Sequence, residues 1–512
     1  MGFGLSAVAE AVVGIVAARL GSIRGCDYTL DGLEYFPLIL SFLISLSSIF
    51  LGVRGSYKEI LCSILYCVGS IVALASSNLT YTTIGFEVMA LAAAFLVALG
   101  NCKSGGPAFL SYTCMHFFSG VLLLLGACQH ENLGYLEGLP RWLFLMGLLI
   151  NAAAFPSSFW VLCSYPRASS FGIMVLSLFT TKVALYLLLR EFSGESVIMY
   201  VGVLTAVYAV IFSLIEKNVR RLMSYGLVGQ VGLILMAIGC AGIPRDIVIM
   251  QMAFSVLYQL LLFMAAECAE RNSGSVDINK MSKSIGVFSV ESLGCLVALL
   301  NMGGFPGTAG FVVKGFMLNM EIEGFSYEFL KYVHPAMDLA LFASVGMKFF
   351  WHTTLKSYGS ASHSQGNITS RISILALSLV TVVSGILYGR GVLFYSHKFV
   401  YTLEEVTTKL AILAAVLSCF TLFRDKFAGR VELSVLESLI SRKVIFTVEK
   451  LGGCFSFVKE FVRGYALEES TLGVEIGDRE TTLLSGAPTG LISSTLLLVM
   501  LCICIVLVWA YV

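Results

Sequence analysis

The chain has 512 residues, of which 57% are hydrophobic and only 13% are charged, and its formal net charge is +1. A soluble domain carries about 25% charged residues, so this composition excludes an ordinary soluble protein. The balanced charge, without a long Lys/Arg run, gives no basis for nucleic-acid binding.

Apolar runs of about 17–25 residues recur along the chain, and each can cross ~30 Å of hydrocarbon. They are continuous rather than alternating, which predicts helices and not a β-barrel. The predicted spans are 34–53, 59–76, 80–100, 107–127, 142–163, 171–189, 197–215, 222–243, 246–268, 284–302, 306–320, 335–352, 372–389, 407–423 and 489–511. A further span is predicted at 4–20, weakened by Glu10 and Arg19, so the sequence predicts an all-α polytopic membrane protein of about 14–16 transmembrane helices.

The tail differs from the rest of the chain because it is more charged. Its segment 431–466 is amphipathic, which predicts either a helix along the membrane surface or other subunits, or a cytoplasmic linker helix. The predicted organisation is N-terminal transmembrane helices at 1–70, a core at 71–320, C-terminal transmembrane helices at 321–424, a lateral segment and loop at 425–488, and a final transmembrane helix at 489–512.

Basic residues divide unevenly between alternate loops. One set carries Arg54, Lys58, Lys103, Arg167, Lys217, Arg220, Arg221, Arg271, Lys280 and Lys283. The intervening loops carry Arg141, Arg190 and Arg245. The positive-inside rule predicts that the richer set faces the cytoplasm.

Three ionisable residues lie deep in apolar runs, namely Glu87, Lys182 and Lys314. A charge in the middle of a membrane is costly, so each is a functional candidate, the alternatives being a structural ion pair or a snorkelling end. Lys314 follows a break predicted at Gly304, Pro306 and Gly307, because proline removes a backbone donor and glycine relaxes the helix.

The sequence predicts no cofactor, metal or catalytic site. Its 14 cysteines are scattered through apolar segments without a CxxC pair, and there they act as small hydrophobes. No Gly-rich nucleotide loop or haem-ligand pair supports electron transfer within the chain. Whether the chain is a subunit of an enzyme stays open at this point.

Several motifs resemble those of the antiporter-like membrane subunits of respiratory complex I and Mrp-type cation/proton antiporters. Residues 211–232 carry the N-V-R-R-L-x-x-Y-x-x-x-x-Q-x-G form of the family signature, with Asn218, Arg220, Arg221, Tyr225, Gln230 and Gly232 in place. Three further segments are most similar to the D-type Mrp subunit: GFEVMALAAAFLVALG around Glu87, TTKVALYLLLR around Lys182 and LLNMGGFPGTAGFVVKGFML around Lys314. The resemblance covers roughly residues 70–320.

The resemblance implies a core of inverted repeats with broken helices, which moves protons or monovalent cations along a chain of charges. It places Glu87, Lys182, Arg220 and Lys314 on that ion path. It also implies Na⁺, K⁺ or protons as the transported ion, other membrane subunits of an Mrp-type or complex I-like assembly as partners, and a location in the bacterial inner membrane.

Three positions depart from the family pattern. Asn151 and Gln259 stand where the family carries relay lysines, and Phe254 stands where it carries a histidine. An amide can hydrogen-bond and hold water but cannot store a proton. We therefore expect reduced or altered ion conduction rather than full family activity.

The alternatives are a pump-impaired structural paralogue and a proton-pumping membrane-arm subunit of an NADH:quinone oxidoreductase. An unrelated transporter of organic solutes is less favoured, because it would not explain motifs that occur in family order.

Overall fold

The computed structural model describes residues 35–100, 105–320, 322–356, 367–389 and 403–423. The segments predicted at 4–20, 431–466 and 489–511 lie outside the described residues. The α-helices, numbered α1 to α17 in chain order, are Phe36–Gly52, Tyr57–Ala75, Leu79–Ala98, Gly105–Leu133, Gly138–Asn151, Phe159–Ser164, Ser170–Leu176, Thr180–Phe192, Ser196–Ile215, Val219–Gly239, Arg245–Ser273, Val290–Gly303, Ala309–Leu318, Phe325–Leu341, Lys348–Phe350, Ile368–Gly389 and Leu403–Phe423.

Within the described residues, eight segments are long and apolar enough to cross a membrane, five of them helices that expose about half or more of their residues. The predicted all-α polytopic membrane protein is therefore confirmed. The apolar stretches of the other three segments, Ser170–Phe192, Val219–Gly239 and Arg245–Ser273, are buried entirely by the rest of the protein. An apolar helix with no exposed face is a central helix. Lys182, Gln230 and Gln259 all lie on these three central segments.

The closest helix pair is α9 and α10, and glycines allow the approach. A Cβ atom added at Gly232 would lie 2.6 Å from the Ala206 backbone nitrogen, and one at Gly202 would lie 2.6 Å from the Met236 nitrogen. Small residues let helix backbones meet in this way inside membranes. Gly232, which belongs to the signature stretch, thus holds a central helix against its neighbour.

The two sets of charged loops lie on opposite faces of the helix bundle. On one face the Arg220 side chain donates to the Ala168 carbonyl at 2.7 Å, and Ile278 N donates to the Lys217 carbonyl at 2.9 Å. On the other face Arg190 donates to the Ser76 carbonyl at 2.7 Å. The structure therefore groups the basic loops as their alternation along the sequence predicted.

Several predicted spans differ from the observed helices. The span predicted at 142–163 is broken between Asn151 and Phe159, because the backbone turns at Ala153, which has a φ of 59°. The span predicted at 335–352 begins ten residues earlier, at Phe325, and continues into π-helical turns at Phe342–Met347 and Trp351–Leu355. Hydropathy does not reveal these features, because alanine forms the first turn and apolar residues form the wide π-helical turns.

We expect Gly232→Leu to destabilise the protein, because the new side chain meets the backbone of α9 rather than a movable side chain. Overpacking of this kind costs about 1–3 kcal/mol or more. Unfolding in mixed detergent micelles measures the loss. Leu204→Ala, at a 55%-exposed site on the same helix α9, is the control, and an equal effect of both changes would contradict the close approach.

Candidate functional site

Lys182 lies at a break in a central membrane segment. Helix α7 ends at Leu176, α8 begins at Thr180, and the Lys182 side chain is fully buried. Its Nζ donates to the Ser177 carbonyl and to Gln259 Oε1, each at 3.3 Å. A helix end leaves carbonyl groups without helical partners, so the break itself supplies an acceptor for the ammonium.

Lys182 has no carboxylate partner among the described residues, since none lies within 4.0 Å of its ammonium. Within the described part of the chain, Lys182 therefore does not form a structural ion pair, which was one of the alternatives for this residue. Snorkelling is also excluded, because the side chain has no exposed surface. The amine is held by two neutral acceptors instead.

Lys314 lies beside a second break. Helix α12 ends at Gly303, and α13 begins at Ala309 after the Gly-Phe-Pro-Gly turn, in which Gly304 and Gly307 have φ angles of 66° and 91°. The Lys314 Nζ donates at 2.6 Å to the Met302 carbonyl, in the last turn before the break. The predicted break at this site is present, and again a carbonyl near a helix end accepts from the lysine.

Lys314 differs from Lys182 because it has an acid beside it. Its Nζ lies 2.6 Å from Oδ2 of Asp338 on α14, and both side chains are about 95% buried. Asp338 was not identified from the sequence, although it is an acidic residue inside the predicted span 335–352 and could have been examined as a partner. One turn before it, His334 lies 3.3 Å from the Gln251 amide nitrogen and is also buried.

Asn151 is the last residue of α5, at the third break. Its Oδ1 lies 2.9 Å from Nδ1 of His116, and its Nδ2 donates to Ser119 Oγ and to the Gly147 carbonyl, each at 3.0 Å. His116 was not predicted from the sequence, although it is a histidine within the predicted span 107–127. The neutral amide at this position is therefore bonded to a titratable ring.

Glu87 lies on α3 and is half-buried. Its carboxylate occupies the space beside Gly120 of α4, where any side chain would overlap it. The structure does not bring Glu87 into contact with Lys182. It does bring Glu87 to the same helix that carries His116.

A small cavity is lined by one partner of each lysine. Its lining includes Gln259, which bonds to Lys182, and Met302, whose carbonyl bonds to Lys314. Tyr258 and Gln230 also line it, and the tyrosine hydroxyl donates to Gln230 Oε1 at 2.5 Å. The Gln230 amide nitrogen has no hydrogen-bond partner in the part of the chain that is described. Three polar side chains, Gln230, Tyr258 and Gln259, therefore meet at this cavity among apolar residues.

Arg220 lies away from this polar interior, at the start of α10. Its guanidinium makes a bidentate contact with the Glu270 carboxylate, with both N–O distances 2.8 Å, and it also donates to the Ala168 carbonyl at 2.7 Å. Such paired contacts hold the guanidinium in a fixed geometry. The residue joins the loop before α7 to the end of α11 on the face of the basic loops.

Lys348 lies between the two π-helical turns. It was not predicted from the sequence as a site residue. Its Nζ donates to the carbonyls of Ser213, Leu214 and Glu216 at 2.9, 2.8 and 2.7 Å, at the end of α9. Cations near the C-terminus of a helix complement its exposed carbonyls. This lysine caps a helix and is fixed there.

The part of the chain that carries this arrangement is similar to known proteins. Residues 137–333 match the family described as NADH:quinone oxidoreductase/Mrp antiporter, TM. This segment of the chain is similar to the transmembrane region of the antiporter-like membrane subunits. The matched segment contains Asn151, Lys182, Gln259 and Lys314 together with all three breaks.

Individual relatives are distant. The chain is 22% identical over 328 residues to the D-type subunit of the Na(+)/H(+) antiporter from Alkalihalophilus pseudofirmus, a match that covers 58% of this chain and 65% of the relative. It is 24% identical over 375 residues to NADH-quinone oxidoreductase subunit N of Dehalococcoides mccartyi, covering 61% and 76%. Among solved structures, a chain of respiratory complex I from Thermus thermophilus has a TM-score of 0.60 at 19% identity, covering 77% of this chain and 98% of that chain. Similarity at this level shows a shared fold.

We expect Lys314→Met to destabilise this protein strongly, because it leaves the Asp338 carboxylate buried without a partner. Breaking one side of a buried pair costs about 3–5 kcal/mol. The double change Lys314→Met with Asp338→Leu should recover most of the loss, because no charge then remains buried. Thermal unfolding in detergent compares the three proteins, and a double variant as unstable as the single one would contradict the pairing.

Proposed function

We propose that this chain is an ion-translocating subunit that moves protons or monovalent cations within a multisubunit membrane complex, with Lys182 as its central proton-binding group. The observation that carries this proposal is the environment of Lys182. The amine is fully buried, at a helix break, and bonded only to neutral oxygens among the described residues. Without a fixed counter-charge, its proton is held less firmly than in an ion pair.

The arrangement around Lys182 supports this assignment. Gln259, which bonds to Lys182, and Met302, whose carbonyl bonds to Lys314, line the same small cavity. Buried water needs polar partners and enough room, and the side chains of Gln230 and Tyr258 supply partners here. A hydrated connection of this kind lets a proton or cation pass between sites without crossing hydrocarbon.

The partners follow from the family. The relatives are named as subunits of an Na(+)/H(+) antiporter and of NADH-quinone oxidoreductase, so we infer that this chain assembles with other membrane subunits in the inner membrane of a bacterium. The exposed apolar faces of the outer helices provide surfaces for lipid and for such neighbours, for example Leu61 at 66% and Phe117 at 70% exposure.

A pump-impaired structural paralogue is the second candidate, and one observation favours it. The two relay positions occupied by Asn151 and Gln259 are neutral, and the Lys314 ammonium is held in a tight ion pair with Asp338. Lys182 is then the lysine available for proton exchange in the centre. Conduction lower than in relatives with the full set of lysines is the expected result.

We expect Lys182→Met to lower ion flux by about tenfold or more, the scale of losing a positioned proton-transfer group. The measurement uses the intact assembly that co-purifies with the tagged chain, reconstituted into vesicles with a pH-sensitive dye and driven by a Na⁺ or K⁺ gradient. Lys280→Met is the matched control, because it removes a lysine from an exposed loop position. Flux unchanged by Lys182→Met would refute the role of this lysine.

Replacing Asn151 and Gln259 together with lysine should raise the flux of the same assembly. A lysine at position 259 would lie beside Lys182, and two amines so close cannot both hold their protons easily. If the unmodified assembly moves no ions and the double lysine variant does, the chain is the pump-impaired paralogue. If neither moves ions, the translocation proposal fails.

A further inference from the structure

One face of helix α4 connects the region of Glu87 with the region of Lys182. Tyr112, His116 and Gly120 are spaced four residues apart and therefore share that face. Tyr112 is 0% and His116 is 3% exposed. At Gly120 the face meets the Glu87 carboxylate, and at His116 it meets Asn151. One face of α4 therefore contacts both Glu87 and Asn151, and position 151 is where the related proteins carry a lysine.

Asn151 determines which nitrogen of His116 carries the proton. The Asn151 amide nitrogen donates to Ser119 and to Gly147, which turns its oxygen towards His116 Nδ1. A carbonyl oxygen can only accept, so Nδ1 is the donor in the neutral ring and Nε2 has a free lone pair. Nε2 is buried and has no hydrogen-bond partner among the described residues. His116 is therefore a buried base with its accepting nitrogen available.

Aromatic hydroxyl groups lie between this histidine and the break at Lys182. The Tyr66 hydroxyl hydrogen-bonds to Thr180, the first residue of α8. The hydroxyls of Tyr112 and Tyr165 are near enough to the Tyr66 hydroxyl to interact with it, yet neither makes a hydrogen bond of good geometry within the described ranges. We call Tyr66, Tyr112 and Tyr165 the tyrosine cluster. Through Tyr66 the cluster bonds to Thr180, which precedes Lys182 by two residues in the chain.

Two hydroxyls of the tyrosine cluster, and two others close to its contacts along the chain, have no hydrogen-bond partner among the described residues. In addition to the hydroxyls of Tyr112 and Tyr165, the buried hydroxyls of Ser158 and Thr181 lack partners among the residues described. A buried polar atom left without a hydrogen bond costs about 1–3 kcal/mol. Water that bonds to several such groups at once removes this cost. Hydroxyl groups of this kind can bind water wherever the packing leaves room for it.

We propose that His116 and the tyrosine cluster form a hydrated proton-transfer link between Glu87 and Lys182, which replaces the lysine absent at position 151. The inference rests on the ion translocation proposed above and adds the route through this half of the subunit. The Glu87 carboxyl, when protonated, gives its proton through a water to His116 Nε2, so that the carboxyl becomes a carboxylate and the ring an imidazolium. Nε2 then passes the proton through water at the tyrosine cluster to the neutral Lys182 amine, which becomes an ammonium, and the ring returns to its neutral form.

The aromatic surroundings of His116 suit a transient positive charge. The Tyr112 and Trp160 rings lie with their centroids 4.1 and 4.6 Å from that of the imidazole. A cation beside an aromatic ring gains about 0.5–2 kcal/mol, more as it is desolvated. The same contacts also pack α4 against α6, so a test must separate conduction from packing.

The test measures proton flux by the reconstituted assembly with His116→Gln and Tyr112→Phe. Glutamine can keep a hydrogen bond to Asn151 but cannot carry a proton, and phenylalanine removes only the hydroxyl group. We expect each change to lower the flux, His116→Gln by about tenfold or more, with unchanged assembly. Tyr327→Phe is the control, because Tyr327 is a buried tyrosine with a partnered hydroxyl outside the cluster.

Rescue distinguishes a proton carrier from a packing residue. Adding Asn151→Lys to His116→Gln should restore flux, because the lysine supplies a titratable group at the same place, whereas it would not repair lost packing. Normal flux in both His116→Gln and Tyr112→Phe overturns the link while leaving the proposed function intact. An unmodified assembly that moves no ions refutes the proposed function itself, and the link with it.

A second measurement does not depend on the folding of any variant. Radiolytic hydroxyl-radical labelling of the unmodified assembly oxidises buried side chains that contact bound water. We expect Tyr112 and Tyr165 to be oxidised faster than Tyr327, although all three are buried. Equal and slow oxidation of the three would show a dry cluster and would overturn the proposal.

Discussion

A charged amine inside a membrane protein needs hydrogen-bond acceptors, and this fold supplies them by breaking helices. An unbroken helix uses its carbonyl groups internally, whereas a helix that stops leaves some of them free. Lys182 bonds to the carbonyl of Ser177, and Lys314 bonds to that of Met302, in each case beside a break. The breaks therefore allow ammonium groups to remain in the apolar interior at all.

The two lysines share this solution but differ in charge balance. Lys314 is neutralised by Asp338, so its proton is stabilised by an opposite charge as well as by a carbonyl. Lys182 has neutral acceptors alone among the described residues. Burial favours the neutral form of an amine, and an adjacent carboxylate opposes that tendency. Similar positions at helix breaks thus produce one fixed ion pair and one group suited to proton exchange.

The sequence predicted the helical membrane fold, the depth of Lys182 and the break before Lys314, because apolar length and a Gly-Phe-Pro-Gly turn are local signals. It did not predict the break between Ser177 and Thr180, where no glycine or proline stands and Phe179 is instead packed against Phe42 and Tyr66. The partners of the buried lysines also escaped prediction. Their side-chain partners, Gln259 and Asp338, lie on other helices, and such pairing depends on tertiary packing.

The neutral replacements at the relay positions have a physical consequence beyond the loss of charge. The Gln259 oxygen accepts from Lys182, and the Asn151 oxygen faces His116. An amide has one end that accepts and one that donates, so its own fixed bonds decide which end it presents to a neighbour. Asn151 presents its oxygen because its nitrogen is occupied by Ser119 and Gly147. Each amide thus presents its oxygen to an adjacent titratable group, His116 in one case and Lys182 in the other.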